Sequence, residues 1–176
     1  MDDESDMSDK RVLGPLVFAQ REPHAAPRGV EPWKILVVDD DEEVHKVTRL
    51  ALTGFTFKGR PLRFLDASSG REAVELMRSE QDVAIVLMDV VMETEHAGLD
   101  AVEAIRKELG NRRVRIVLRT GHAGQVPERD VVTRYDINDY REKAELTVNK
   151  LFTVIHTSLS HYHELAGLAA NHHGPQ

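Results

Sequence analysis

Apolar residues along the chain gather into short, dense runs, and between these runs they recur every three or four positions, so two periodicities alternate. The first run, KILVV at 34–38, is uninterrupted and rich in β-branched residues, the pattern of a strand buried on both faces. Behind it, DEEVHKVTRLAL sets Val44, Val47, Leu50 and Ala51 on one helical face, with acids in the first turn where they complement the helix dipole. PLRFLD (61–66) predicts a second strand, and Ser69 with Glu72 forms a capping box for a helix through Met77. DVAIVLM (82–88) predicts a third strand, and GLDAVEAIRKELG (98–110) a helix closed by Gly110. A fourth strand follows in RVRIVLRT (113–120), a short helix in PERDVVTRY (127–135), and a fifth strand in INDYR (137–141). From about Leu146 a long last helix carries Leu151, Val154, Ile155, Leu159 and Tyr162 toward His163.

Five alternations of strand and helix predict an α/β fold: a doubly wound, five-stranded parallel sheet with helices on both faces. Residues 1–32 are polar, broken by Pro15, Pro23, Pro27 and Pro32, and carry one apolar patch, PLVFA, as expected of a flexible N-terminal arm. The domain is expected over 33–160, with the extended last helix and a tail over 161–176. In such sheets ligands sit outside the carboxyl ends of the strands. The residues at those ends are Asp39, Asp40 and Asp41 after the first strand, Asp89 after the third, Thr120 after the fourth and Lys143 after the fifth.

Composition narrows the chemistry at that edge. A chain of 176 residues suits one well-buried domain, and a net charge of -7 argues against nucleic acid as a direct partner. There are no cysteines, which removes disulfides, thiolate metal sites and thiol nucleophiles together. No apolar run approaches the roughly 20 residues of a spanning helix, and the acidic first ten residues are unlike a secretory leader, so a cytoplasmic protein without membrane insertion is expected. Several carboxylates meeting at one edge repel each other unless a cation balances them. With His45 directed down a helix, the available donors are oxygens, which suit Mg²⁺. An ionised aspartate is a competent nucleophile toward an activated phosphoryl group, which Mg²⁺, Lys143 and the Thr120 hydroxyl would steady.

Each residue also has an ordinary explanation. Asp39 to Asp41 are good helix caps, Asp89 suits a turn, Thr120 can end a strand, and Lys143 can be one more solvated lysine. Their joint placement at the carboxyl ends of alternate elements is what separate coincidences do not explain. Arg112, Arg113, Arg115 and Arg119 read as a solvated strand edge, and His156, His161, His163, His172 and His173 as exposed helix and tail.

ILVVDDD, the lone Asp89, VLRTG and YREK, in this order, resemble the receiver domain of two-component response regulators, over roughly residues 33–160. The wording VVMETEHAGLDAVEAIRKELGNRRVRIVLRTG with RYDINDYREKAELT is similar to a subgroup usually found upstream of cyclic-di-GMP output modules of the HD-GYP type. The resemblance implies the flavodoxin-like (βα)5 receiver fold with strand order 2-1-3-4-5. It also implies a phosphoacceptor role for Asp89, direct Mg²⁺ ligation by Asp40, and water-mediated ligation by Asp39. The Val91 backbone carbonyl would be a further metal ligand, Thr120 the switch hydroxyl, Lys143 the phosphate-pairing lysine and Tyr140 the switch aromatic. A sensor histidine kinase or phosphotransfer protein is the implied partner, and pairing of two chains through the last helices is expected.

The chain departs from the family pattern in places. Ala144 stands where a proline usually follows the lysine, Glu93 replaces a common proline, and Gly98 falls one position late. Val91 and His122 occupy the positions that tune loss of the phosphoryl group. The alternatives fare worse against the residues: Glu43 breaks the D-x-D-x-[TV] pattern of haloacid-dehalogenase-type phosphatases, and no phosphate-cradling or dinucleotide glycine motif is present. A receiver fold kept only for docking or dimerisation would be expected to have lost an acid or the lysine.

Overall fold

In the computed structural model the described residues are 30–121 and 128–171, so the expectations for the arm up to residue 29, for His122 and for the tail histidines His172 and His173 lie outside them. Six strands, β1 (Trp33–Val38), β2 (Thr56–Phe57), β3 (Arg60–Ala67), β4 (Val83–Asp89), β5 (Arg115–Thr120) and β6 (Asp139–Glu142), form one sheet in the order β2-β3-β1-β4-β5-β6. All neighbours are parallel except β2 with β3. The five parallel strands thus follow the order expected from the sequence, and β2 is an addition to it. Lys58 and Gly59 join β2 to β3, both with positive φ (51° and 74°), the backbone that a tight two-residue hairpin with right-handed strand twist requires.

The helices are α1 (Glu42–Ala51), α2 (Gly70–Ser79), α3 (Ala97–Glu103), α4 (Glu128–Tyr135) and α5 (Val148–Asn171). Alternation along the central strands builds two cores. Leu36, Val38, Val86, Met88, Ile116 and Leu118 face α2 and α3, while Ile35, Val37, Ile85, Leu87 and Val117 face Leu151, Ile155 and Leu159 of α5. Each of the seven β4 residues is buried, Asp89 included. The apolar run in the sequence therefore ends on a carboxylate that is only 3 % exposed.

Caps at the helix starts differ in detail from expectation. Ser69 accepts from the Glu72 N–H as a capping box requires, but Glu72 Oε2 reaches back to the N–H and hydroxyl of Ser68, one residue earlier than the standard arrangement. Glu93, in the place of the usual proline, accepts from the Gly70 N–H at 3.1 Å and so ties the loop after β4 to the start of α2. After Glu103 the third helix widens into a π-turn (Ala104–Glu108) that buries both Ile105 and Arg106, and the Gly110 φ of 62° closes it. The buried Arg106 guanidinium donates to the carbonyls of Asp136, Asn111 and Val114 and to Asn138 Oδ1, fastening together the entries to β5 and β6.

The largest departure is in α1. Val47 and Leu50, expected in the core, are 60 % and 76 % exposed, and Thr48 is buried in their place. Thr48 Oγ1 accepts from the buried Arg119, so the inward face of α1 combines this polar tie with the packing of Ala51 and Leu52 on the α5-side core. Val44, Val47 and Ala51 then line one wall of an open groove whose other wall is Leu146, Val148 and Leu151.

Candidate acidic site at the carboxyl edge of the sheet

Parallel strands deliver their carboxyl ends to one edge, and β1, β4, β5 and β6 bring Asp39, Asp89, Thr120 and, just past β6, Lys143 together there. The carboxylates of Asp39, Asp40 and Asp89 have oxygens all within 4.8 Å of one another. Asp39 is fully buried, Asp40 exposed and Asp89 buried, so the cluster meets solvent through Asp40. Lys143 Nζ donates to Asp89 Oδ2 at 2.7 Å and lies 2.9 Å from Asp39 Oδ2, bridging the two buried acids.

The other sequence candidates fall into place around this centre. Asp41 is the N-cap of α1, accepting from the Glu43 N–H at 2.9 Å, so the third acid of the run is a cap and stands outside the cluster. Asp39 Oδ1 accepts from the Asp41 N–H, which fixes its rotamer. Thr120 is buried at the end of β5, with a strand partner in Glu142. Tyr140, half-buried opposite Leu118, packs against the core on the α3 side of the sheet. Val91, the second residue of the loop after Asp89, is half-buried. His45 does not point idly along its helix: Nε2 lies 2.8 Å from the Asp39 carbonyl and Nδ1 3.0 Å from Asp66, so both ring nitrogens are engaged. Asp66 also pairs with Arg49.

The residue that the sequence reading misplaced is Arg119. It is 3 % exposed rather than solvated, and it donates to Asp39 Oδ2 and Thr48 Oγ1 at 3.4 and 3.3 Å. The signal was present in β5: IVLRT is a strand buried on both faces, so its penultimate residue is buried whatever its chemistry.

Electrostatics follow from burial and neighbours. Burial pushes the Asp89 carboxyl above its ordinary value of 3.8, Lys143 pulls it back through hydrogen bond and charge, and Asp39 raises it further. Burial works against a charged Lys143, but the hydrogen bonds and charges of Asp89 and Asp39 outweigh it and the ammonium is held above its usual range. Asp89 Oδ1 is buried without a hydrogen bond of good geometry; the Val91 N–H gives it only a weak assist.

A stability effect follows with a definite sign. A carboxyl whose folded pKa is raised favours the fold below its unfolded pKa, and that contribution is lost as pH rises through the folded value. Ionised Asp89 therefore costs stability at neutral pH, and Asp89→Asn is expected to raise the melting temperature at pH 7 by about 3 °C, equivalent to ~1 kcal/mol. Thermal unfolding followed by circular dichroism should show this gain shrinking as the buffer is lowered past 3.8, where both states carry the neutral acid. A gain that persists unchanged in acid would assign it to packing instead.

The cluster offers hard oxygen donors, one of its carboxylates exposed, and Asp89 Oδ1 is buried with no hydrogen-bond partner among the described residues, which fits a small divalent cation with some waters retained. Comparison with known proteins identifies the family of the domain that carries this cluster. The family model described as the response regulator receiver domain matches residues 35–156. A 3'3'-cGAMP-specific phosphodiesterase 2 of Vibrio cholerae is 57% identical over 135 residues, covering 77% of this chain but 26% of its own length. The chain thus spans about a quarter of that relative. Among solved structures, the signal receiver domain of an HD domain-containing protein from Pseudomonas fluorescens Pf-5 superposes with a TM-score of 0.63 at 19% identity, over 76% of this chain and 99% of that one. A CheY-like receiver domain protein from Methanospirillum hungatei JF-1 gives 0.62 at 19%, over 76% and 98%. At these identities the structural matches speak to the fold alone.

Proposed function

The chain belongs to the response regulator receiver domain family, and from that premise we propose that it is the phosphoacceptor switch of a two-component system, with Asp89 as the acceptor. One observation supports this above others: Lys143 joins Asp89 to Asp39 across two strand ends, beside a third carboxylate, Asp40, that is exposed. In the proposed reaction an Asp89 carboxylate oxygen attacks the phosphorus of a phosphohistidine on a sensor kinase or phosphotransfer protein. The new O–P bond forms as the P–N bond breaks, and the electron pair leaves with the imidazole. Mg²⁺, when bound, offsets the negative charge that otherwise keeps two anions apart. Asp40 and Asp39, with Asp89 and the Val91 carbonyl, would hold it. Lys143 remains paired with the oxygens of the acid site, and the Thr120 hydroxyl turns toward the new phosphoryl group with Tyr140 following inward. Phosphorylation so biases a two-state element that a partner reads.

The output proposed is control of a cyclic-dinucleotide phosphodiesterase, by analogy with the Vibrio cholerae relative. The chain's own part is then its phosphorylation and dephosphorylation, without turnover of a separate substrate. Pairing of two chains through α5, whose Leu168 is 58 % exposed, belongs to the same proposal.

Intact mass after incubation with acetyl phosphate and Mg²⁺ tests the reading. One added phosphoryl group is expected, lost in EDTA. Asp40→Ala is expected to weaken Mg²⁺ binding by about tenfold or more and to slow uptake correspondingly at limiting Mg²⁺, since it removes the one exposed carboxylate of the set. A folded protein that takes up nothing, from acetyl phosphate or from a cognate kinase, would favour the docking or dimerisation role instead.

A further inference from the structure

We propose that Arg119 is a built-in counter-cation of the acidic site, a positioning residue that holds Asp39 and occupies part of the electrostatic role otherwise left to a bound metal ion. The proposal rests on the receiver reading above, since it concerns the same carboxylates. Three ionised aspartates with Lys143 alone leave two net negative charges at the sheet edge; Arg119 leaves one. A buried arginine is costly without partners. Here it has one carboxylate, Asp39, and one hydroxyl, Thr48.

The location separates Arg119 from Lys143. Lys143 is part-exposed and bridges Asp39 and Asp89, whereas Arg119 is enclosed and reaches Asp39 from the α1 side, where its Nε is buried with no partner. A fixed positive charge beside Asp39 opposes the arrival of a divalent cation, and its hydrogen bond to Asp39 Oδ2 holds that carboxylate in place in the cation's absence. The expected consequence is a site that is ordered without metal and binds it weakly.

The test is Mg²⁺ titration by calorimetry, without any phosphoryl donor, on the full chain, on Arg119→Gln and on Arg119→Lys, each checked for folding by circular dichroism. Gln keeps a donor toward Asp39 and Thr48 but no charge; Lys keeps the charge. Arg119→Gln is expected to bind Mg²⁺ about tenfold more tightly than the parent, with Arg119→Lys close to the parent. Equal or weaker binding by a folded Arg119→Gln overturns the proposal, as does a Lys variant that behaves like Gln. Failure of Arg119→Gln to fold, with the Lys variant intact or not, would make the residue a structural tie and equally overturn it. If the parent itself binds no divalent cation, it is the metal-dependent receiver reading that fails, an outcome recognisable before any variant is measured.

Discussion

Asp89→Ala is expected to fold normally and to take up no phosphoryl group from acetyl phosphate under conditions where the parent chain is labelled once. The fold should survive because the change deletes one carboxylate at the end of β4 and strands no partner: Lys143 keeps Asp39 at 2.9 Å, and like-charge repulsion at the edge falls. The chemistry should not survive because the remaining carboxylates are differently committed. Asp39 Oδ1 accepts from the Asp41 N–H while its Oδ2 faces both Lys143 and Arg119, and Asp40 stands exposed at the rim. Intact mass after labelling decides it. An adduct on Asp89→Ala at the parent's level would remove Asp89 from its assigned role, whatever the family resemblance.

Gly98→Ala is expected to be the most damaging single-methyl change in the described part of the chain. A Cβ on Gly98 would lie 1.8 Å from the Asp89 carbonyl oxygen, 2.8 Å from its carbon and 2.9 Å from the Val90 Cα. All three are backbone atoms, so no rotamer change relieves the clash; either α3 lifts off the sheet or the end of β4 moves. The Gly98 N–H also donates to the Val90 carbonyl at 3.1 Å, which holds the start of α3 against the strand end. A loss of at least about 3 kcal/mol is expected, read as a lower urea midpoint at unchanged slope. Gly121→Ala is the control, because its Cβ would meet nothing within 4 Å among the described residues. If Gly98→Ala proved as stable as that control, the close approach of α3 to the end of β4 would be wrong. Because the strained atoms belong to Asp89 and Val90, any folded Gly98→Ala protein should also label more slowly than the parent.

The late glycine looked like a departure from the family pattern, and its position is explained by this contact. Glu93 is explained in the same way, since its carboxylate reaches the Gly70 N–H and takes over a loop-anchoring task for which a proline would have no acceptor.

Local sequence settled the parts of this protein that depend on short-range physics. Runs such as VAIVLM announce a strand buried on both faces because no other short element tolerates six consecutive apolar residues without an exposed side, and alternation with amphipathic segments then dictates parallel pairing. The site was legible for the same reason: parallel strands share one carboxyl edge, so Asp39, Asp40, Asp89, Thr120 and Lys143 could be gathered from their positions after predicted strands. Tertiary structure alone decided what those positions mean for residues with more than one option. Val47 and Leu50 have the right period for a core face, yet they are exposed, while Thr48 between them is buried and pairs with Arg119 across 71 residues. Arg119 itself reads as a surface charge until the strand that carries it is covered by α1 on the side it faces, and a buried cation must then find its anion, here Asp39, 80 residues away. Periodicity is a property of neighbours along the chain. Burial of a charge and the approach of one backbone to another are settled between elements far apart in sequence, so only the folded arrangement determines them.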